Sequence, residues 1–387
     1  MSKGNWGDFW WNNITGPQTV IKQVVNTLLE NRLVLLLVPD DLPFRHAMRE
    51  CVSSLFQRET KWKNAIIDEE DMADENQEKL EPGRFILKKY APDQVRNNFR
   101  ERTGKTIQDY IVKNEVLKDR ILWIKGLDET DSDLWIKFCQ NYRPESICSG
   151  LIVVEIHTGM GIRDTRNLKC IRYEDCISEY DVQLFNSYIL DGEYSEYPDV
   201  WKKYISCLTA QVCGTDAEIS ACLIQNTDFR IENLYDGIRR TAENPAFERR
   251  GKRGDSRHLL WEYRNEQYAN INKRIWAAQV QILFPLIEME KIQIVEIYQK
   301  DIQNVLDNDD IEQYGSRVQD LADVELGTLK YMMSWKAHDG EETLYFPDEN
   351  VRGRILFLHS CRNTLAHAKC CEFEDVKLLL EKGLFKE

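Results

Sequence analysis

The stretch LVLLLV at Leu33–Val38 decides the fold of the first half of the chain, and LIVVEI at Leu151–Ile156 repeats its character. Both runs are short, almost wholly apolar and rich in branched side chains, which is typical of strands buried on both faces of a parallel sheet. Amphipathic stretches alternate with such runs, the pattern of an α/β domain. We predict a mainly parallel sheet whose strands are Leu33–Val38, Phe85–Leu87, Ile121–Ile124, Leu151–Ile156 and Leu168–Arg172.

The second half of the chain is predicted to be helical, because the strand signal ends near Val182. We predict four segments: an α/β domain at 1–181, a helical lid or connector at 182–240, a basic linker at 241–258 and an all-α bundle at 259–387. The bundle is predicted to begin with one long helix, roughly Leu259–Leu306, broken or kinked at Pro285. Its other predicted helices are Ile311–Trp335, Val351–Lys369 and Phe373–Leu384.

Composition narrows the class of protein. The 387 residues are 42% hydrophobic and 30% charged, which is typical of globular domains, and the net charge of −14 argues against broad, non-specific nucleic-acid binding. Much of the acidic charge lies between Asp68 and Glu81, a stretch that we predict to be a solvated loop or insert. The sequence has no apolar leader, no run of the ~20 apolar residues that a membrane helix needs, and no Cys-x-x-Cys among its eleven cysteines. These features predict a cytoplasmic protein that binds neither membrane nor metal.

One predicted helix, Val351–Lys369, carries a charged residue on its apolar face. That face consists of Val351, Ile355, Leu358 and Leu365, and Arg362 occupies the position that continues it. In the preceding predicted helix, Glu325 interrupts the apolar face of Val318, Leu321, Ala322, Leu329 and Met332. Two interpretations of a Glu325–Arg362 contact remain open: a structural ion pair, or an acid that orients a catalytic arginine.

The same helix carries a second stripe, His359, Asn363 and His367, at i, i+4 and i+8. The segment Arg362-Asn363-Thr364-Leu365-Ala366-His367 resembles the signature of HEPN ribonucleases: arginine, a polar residue, then histidine after a gap of four to six. The bare pattern also occurs at Arg253…His258 and Arg354…His359. Asn363, the small Ala366 and the late helical position distinguish the third copy from these two.

The resemblance covers roughly residues 259–387 and implies a HEPN-like helical bundle with metal-independent endoribonuclease activity. It implies a catalytic set of Arg362, Asn363, His367 and Glu325, a cyclic-phosphate product, and a homodimer that places two His367 residues together. The residue types suit this chemistry. Histidine titrates nearest neutral pH and can transfer protons, whereas arginine presents a fixed fork of donors to phosphate oxygens.

The α/β half resembles a degenerate P-loop domain of the STAND or AAA+ kind. After the first predicted strand the loop Pro39–His46 lacks glycines, and Arg45 and His46 stand where a phosphate loop has lysine and serine or threonine. Gly126-Leu127-Asp128-Glu129 resembles a Walker-B end. Arg45 and Asp128 are therefore the candidate nucleotide-binding residues. The departures argue against ATP hydrolysis, so we expect no cofactor, with ATP and magnesium at this domain as the alternative.

A basic segment separates the two halves and gives the last candidate site. Residues 239–257 contain seven basic and three acidic side chains. Arg249, Arg250, Lys252 and Arg253 are predicted either to guide RNA or to form a solvated linker. The sequence as a whole predicts a ribonuclease under a sensor domain, acting in anti-phage or stress defence with RNA as substrate and a partner protein of the same system. The alternative is a non-catalytic dimerisation protein with an inactive NTPase-like scaffold.

Overall fold

The computed structural model describes residues 5–39, 41–60, 66–74, 80–100, 106–157, 162–248, 250–251, 258–308, 311–313, 315–334 and 344–383. The chain divides into two compact units. The first unit contains Met1–Phe185 and Thr215–Glu218, and the second contains Asn186–Gly214 and Ile219–Glu387. The boundary at Phe185 lies close to residue 181, where the sequence predicts the end of the α/β domain.

The first unit is built on a five-stranded parallel sheet in the order β2-β3-β4-β1-β5. Its strands are β1 (Leu33–Val38), β2 (Ile66–Asp71), β3 (Arg120–Lys125), β4 (Leu151–His157) and β5 (Leu168–Arg172). Its helices are α1 (Trp6–Asn13), α2 (Thr15–Leu29), α3 (Arg45–Thr60), α4 (Pro82–Tyr90), α5 (Asp93–Asn98), α6 (Ile107–Lys113) and α7 (Glu129–Asn141), with a 3₁₀ turn at Ile147–Ser149. Every residue of β1 is buried, as its apolar sequence predicts. The predicted α/β class and four of the five predicted strands are confirmed.

Two predictions in this unit are wrong. Phe85–Leu87 is helical, because Pro82 occupies the first turn of α4 and an apolar run of three residues fits one helical face as well as a strand. The acidic stretch at 68–81 is not wholly a solvated loop, because its first residues form β2 at the edge of the sheet. Basic side chains neutralise this strand: Arg120 pairs with Asp68, and Lys125 Nζ lies 3.3 Å from Glu69 Oε2.

The second unit is almost entirely helical. Helix α8 (Glu179–Glu193) crosses the unit boundary, and α10 (Ala217–Asn226) begins in the first unit. The remaining helices are α9 (Asp199–Cys213), α11 (Leu234–Glu243), α12 (Leu259–Arg264), α13 (Tyr268–Ile297), α14 (Gln299–Asn308), α15 (Leu326–Ser334), α16 (Glu349–Ala366) and α17 (Phe373–Glu381). The second unit also contains a hairpin of two short strands, β6 (Glu312–Gln313) and β7 (Ser316–Arg317). It has 3₁₀ turns at Pro245–Phe247 and Leu321–Asp323. Helix α13 is central, because α9, α16 and α17 all pack on it.

Two helix predictions in this unit need correction. Helix α13 continues through Pro285, and the interruptions fall instead before Tyr268 and at Tyr298. Burial of Leu283 and Ile287 on either side offsets the roughly 3 kcal/mol that an interior proline costs. The predicted helix Ile311–Trp335 is a hairpin, a 3₁₀ turn and the short α15, so Val318, Leu321 and Ala322 do not lie on one helical face. Part of the predicted basic linker is also helical, since α11 extends to Glu243.

Candidate active site

Helix α16 presents the motif from a rigid, well-anchored position. Asp348 caps its N-terminus by accepting a hydrogen bond from the backbone N–H of Asn350 at 2.8 Å. The buried face is Val351, Ile355, Leu358, Cys361 and Leu365, which confirms the predicted apolar stripe. In the last turn of the helix, Trp276 Nε1 donates to the carbonyl oxygen of Leu365 at 2.7 Å. Helix α13 therefore fixes the end of α16 at which the motif lies.

Arg362 lies between two carboxylates. Its Nη2 donates to Glu325 Oε2 at 2.9 Å, and its Nε lies 3.5 Å from Glu288 Oε1. The guanidinium also sits over the ring of Phe284, 6.0 Å from the centroid. The side chains of Arg362, Glu288 and Glu325 keep 24%, 25% and 31% of their exposure, so the cluster is reached by solvent.

The predicted contact between Glu325 and Arg362 is confirmed, but Glu325 does not lie within a helix as predicted. Glu325 stands immediately before α15, and its carbonyl oxygen accepts the backbone N–H of Leu329 at 3.0 Å. Glu288 and Phe284 were not among the predicted site residues. They lie one turn apart on α13, but only the packing of α13 against α16 shows that this face meets Arg362.

His359 and Asn363 form a second polar pair on α16. Asn363 Nδ2 lies 3.1 Å from His359 Nε2. With the amide in this orientation the ring proton is on Nδ1, and turning the amide by half a rotation gives the other tautomer. Burial lowers the pKa of His359, and the positive charges of Lys330 and Arg362 lower it further. Both effects favour the neutral form of His359, the form that can accept a proton.

His367 is exposed at the C-terminal cap of α16. Its backbone N–H donates to the carbonyl oxygen of Asn363 at 3.0 Å. The next residue, Ala368, has a φ of +55°, the left-handed conformation that ends many helices and that glycine adopts most easily. After Ala368 the chain is held against α13, because Gln279 Oε1 on that helix accepts the backbone N–H of Cys371 at 2.8 Å.

The helix separates Arg362 from His367 around its axis. Five residues correspond to about 140° around an α-helix, so the two side chains leave α16 on different sides. His359 is three residues from Arg362 and lies about 60° away, on the same side. The structure thus brings Arg362 together with Glu325, Glu288 and His359, and it leaves His367 apart in this chain.

Each of the other two Arg…His matches in the sequence contains a residue with a structural role. Arg354 forms two 2.8 Å hydrogen bonds to the carboxylate of Glu290, and both side chains are nearly buried. His258 caps α12 by accepting the N–H of Leu260 on Nδ1 at 3.2 Å. Arg253 lies outside the described residues. These contacts separate the match at Arg362 from its two alternatives.

Only one of the predicted RNA-guiding residues is described. Arg250 lies over the ring of Phe247, 5.3 Å from the centroid, and its carbonyl oxygen accepts a hydrogen bond from Arg264. Arg249, Lys252 and Arg253 lie outside the described residues, so the proposed RNA path stays a prediction.

The candidate nucleotide-binding residues of the first unit both make structural contacts. Asp128 caps α7 by accepting the N–H of Asp131 at 2.8 Å. Arg45 Nε lies 3.4 Å from Glu155 Oε2, and its Nη2 donates to the carbonyl oxygen of Pro39 at 3.4 Å. The loop after β1 is thus tied by its arginine to the neighbouring strand β4.

Glu155 is the centre of a buried charge cluster beside this loop. Its Oε1 accepts from Trp123 Nε1 at 2.7 Å and lies 3.4 Å from Nη1 of Arg49. Arg49 Nε lies 2.7 Å from Glu69 Oε1, and this contact and Lys125 lower the pKa of Glu69 against the opposing effect of burial. The cluster spans β2, β3, β4 and α3 at the carboxyl ends of the strands, the edge at which open α/β sheets bind ligands.

Within the part of the chain that the structure describes, no group of three or more His, Cys, Asp or Glu side chains is arranged to hold a metal ion. None of the described helices is both long enough and apolar enough to cross a membrane. No family model, curated protein or solved structure matches the chain.

Proposed function

We propose that the second unit is a metal-independent endoribonuclease of the HEPN type. The observation that carries the proposal is the solvent-accessible arrangement on α16, where Arg362 and His359 share one side and Asn363 bonds His359. RNA cleavage without metal requires a proton acceptor, a cation for the phosphorane and a proton donor; His359 suits the first role and Arg362 the second.

Each residue has a distinct role in this proposal. Arg362 directs guanidinium N–H groups at the phosphate oxygens, with Glu325 holding the fork in place. A histidine takes the proton of the ribose 2′-hydroxyl, and a second histidine protonates the leaving 5′-oxygen. His367 is one of these two histidines, and the second chain of a homodimer supplies the other histidine. The product ends are a 2′,3′-cyclic phosphate and a 5′-hydroxyl.

We further propose that the first unit is a P-loop-like sensor that controls this activity without hydrolysing ATP. The support is the engagement of Arg45 with Glu155 and Pro39, together with the role of Asp128 as a helix cap. A nucleotide phosphate would have to compete with Glu155 for Arg45. Regulation of a ribonuclease by such a unit suits anti-phage or stress defence with a partner protein of the same system.

A second candidate function is non-catalytic dimerisation. It is favoured by one observation: Arg362 already contacts two carboxylates, as a structural arginine does. The two candidates differ in the expected role of His367, which has no packing role at the exposed end of α16.

The experiment is incubation of the full chain with a mixed RNA pool in EDTA, followed by analysis of the product ends. Wild type is expected to cleave RNA and leave cyclic-phosphate ends, whereas His367→Ala should lose at least about 100-fold in rate. The matched control is His46→Ala, since His46 is a 77% exposed histidine on α3. Intact RNA with wild type, or equal cleavage by His367→Ala, contradicts the proposal and favours the dimerisation protein.

A further inference from the structure

The first unit carries a basic cleft, which is lined by residues of α4, the last turn of α5 and the two residues after α5. Its volume is about 710 Å³. The described residues that line it include four cations and no carboxylate, in a chain whose net charge is −14. The basic cleft is therefore a local exception to the charge of the chain. Its cations are Arg84, Lys88, Arg96 and Arg100.

The two segments that line the basic cleft repeat one pattern. In each segment a cation is followed by an apolar residue three positions later and by a second cation at the fourth position. The residues are Arg84, Leu87 and Lys88 in the first segment, and Arg96, Phe99 and Arg100 in the second. The positions in α4 share one side of the helix. Each segment thus contributes an apolar side chain and two cations to the same cleft.

The second segment is held in place by contacts with both neighbouring helices. Arg96 Nη1 donates to the carbonyl oxygen of Lys88 at 3.3 Å, which ties α5 to α4. Tyr110 Oη, on α6, donates to the carbonyl oxygen of Val95 at 2.8 Å. The ring of Phe99 packs on the ring of Tyr110, with 5.1 Å between the centroids. The cations and the apolar side chains therefore have fixed positions relative to each other.

The cations of the basic cleft are reached by solvent. The Arg96 side chain keeps 40% of its exposure and pairs with the exposed Asp93, whereas Arg100 Nη1 donates to the carbonyl oxygens of Asn97 and Phe99 at 2.8 and 2.9 Å. A single anion gains little from an exposed cation, because water and salt screen the pair. A polyanion that contacts several cations releases counterions at each of them, and these gains add. The basic cleft therefore suits a polyanion.

The apolar residues of the basic cleft indicate which polyanion it binds. Single-stranded nucleic acid has a phosphate and a flat base in every nucleotide, and bases stack on aromatic side chains of basic grooves. This repeat matches segments in which Leu87 and Phe99 each lie between two cations. A duplex keeps its base faces stacked inside, and an acidic peptide has no flat face in each repeating unit.

We propose that the basic cleft binds single-stranded RNA, with phosphates at its four cations and a base against Phe99. The choice of RNA over DNA rests on the proposed ribonuclease function. The site differs from the predicted RNA-guiding residues, which lie in the basic segment 239–257 of the second unit. A first unit that binds RNA has a ligand to sense that requires neither Arg45 nor Asp128.

Binding of a labelled RNA to the full chain tests the basic cleft. The probe is a 2′-O-methyl RNA of about 12 nucleotides, which has no 2′-hydroxyl to attack phosphorus and is followed by fluorescence anisotropy. The double variant Arg84→Gln, Arg100→Gln should bind it about 10-fold more weakly, because two phosphate contacts are lost. The matched control is Arg58→Gln, Lys118→Gln, which removes the same charge from side chains of the first unit that are 74% and 54% exposed. Equal binding by the two double variants overturns the inference.

The salt dependence of binding counts the phosphate contacts independently. Each contact with a single strand contributes about −0.7 to the slope of the logarithm of the association constant against the logarithm of the salt concentration. The slope of the cleft variant should therefore be shallower than that of the control variant by about 1.4. Identical slopes would show that Arg84 and Arg100 contact no phosphate.

The class of polyanion is tested by one more variant and by competition. Phe99→Leu keeps an apolar side chain without the ring, and binding of the probe should fall at least about fivefold. Polyglutamate and duplex RNA should not displace the probe at the concentration at which the unlabelled single strand displaces half of it. Displacement by polyglutamate assigns the basic cleft to acidic peptides and overturns the RNA site. Equal displacement by duplex RNA, or unchanged binding by Phe99→Leu, overturns the base contact.

The outcomes separate the basic cleft from the proposed ribonuclease. Weaker probe binding by the cleft variant alone, in a chain that leaves the RNA pool intact, supports the basic cleft and contradicts the ribonuclease. Cleavage of the pool by wild type, with equal probe binding by both double variants, supports the ribonuclease and overturns the basic cleft.

Discussion

The two units each contain an arginine held between two glutamates, and the two clusters differ in how far water reaches them. In the first unit, Arg49 and Glu155 retain 6% and 3% of their side-chain exposure and Trp123 donates to Glu155, whereas Glu69, the other partner of Arg49, lies at the rim with 35%. In the second unit, Arg362 keeps 24% exposure, and its partners Glu288 and Glu325 keep as much or more. An arginine and two glutamates thus form a cluster with a closed centre, the Arg49–Glu155 pair, in the first unit and an open cluster in the second.

This difference separates a structural role from a chemical one. A closed cluster must be satisfied internally, because any unpaired charge would have lost its hydration without compensation. An open cluster can exchange one of its contacts for a substrate anion, since water already reaches its members. We therefore expect substitutions in the first cluster to change stability and substitutions in the second to change activity.

Removal of Glu155 should produce the largest change in stability. Glu155→Ala leaves the buried Arg49 with Glu69 alone and removes the acceptor of the Trp123 N–H. We expect the free energy of unfolding of the first unit to fall by about 3–5 kcal/mol. Urea denaturation followed by circular dichroism measures this loss. Glu50→Ala is the control, because Glu50 pairs with His46 at the surface, and its stability should match wild type. Equal stability of the two variants would mean that the first cluster is not closed.

Removal of Arg362 should cost less stability and more activity. Arg362→Ala leaves two partly hydrated carboxylates, so we expect a loss of about 1 kcal/mol in the free energy of unfolding. RNA cleavage should fall at least about 100-fold, because the phosphorane loses its cation. Arg354→Ala, two turns earlier on α16, is the matched control. It should cost about 3 kcal/mol because the nearly buried carboxylate of Glu290 loses its ion pair with Arg354. A larger stability loss for Arg362→Ala than for Arg354→Ala would favour the structural interpretation of Arg362.

A glycine at the end of α16 should stabilise the open site. Ala368 adopts a φ of +55°, which a side chain disfavours and glycine tolerates. Ala368→Gly should raise the free energy of unfolding of the second unit by about 0.5–1 kcal/mol. Thermal unfolding measures this gain, with Ala366→Gly inside the same last turn as a control that should lose stability. A loss with both variants would show that Ala368 is not strained.

The smallest expected effect is a change in the pH dependence of stability. The pKa of His359 lies below its ordinary value of 6.5 in the folded chain, so the unfolded chain binds the proton more readily. The stability contributed by neutral His359 is therefore present above pH 6.5 and is lost as pH falls towards 5. Wild type should lose more stability than His359→Gln between pH 7 and 5, measured by urea denaturation at each pH. Identical pH slopes would place His359 in an environment like that of bulk water.

The sequence predicts the elements that depend on local pattern, and it fails where distant residues decide. The apolar runs at β1 and β4 identify the centre of the sheet, because burial on both faces leaves a direct signature. The edge strand β2 is missed because its acidic sequence becomes tolerable only through Arg120, Lys125 and Arg49, which lie elsewhere in the chain.

The candidate site shows the same division. The Glu325–Arg362 contact, predicted from two charges on apolar faces, is confirmed, although Glu325 stands immediately before α15 and not on the predicted helical face. Glu288 gives no such signal, because the predicted helix Leu259–Leu306 has several faces and the sequence does not say which one meets α16. Glu155 is visible in the sequence as a lone carboxylate within the apolar run LIVVEI. Its contacts with Trp123 and Arg49 explain why a carboxylate is buried there.

The closed cluster also has a consequence for biosynthesis. Arg49 and its buried partner Glu155 are 106 residues apart in the chain, and β1 pairs with the strand that carries Glu155. A ribosome therefore releases β1 and α3 long before their partners exist, and such distant pairing folds slowly. Until β4 emerges, the nascent chain exposes six consecutive apolar residues at Leu33–Val38, and Arg49 lacks its buried partner Glu155. We expect chains truncated before Leu151 to aggregate or to be held by chaperones, and chains that extend past His157 to be the shortest able to close the centre of the sheet.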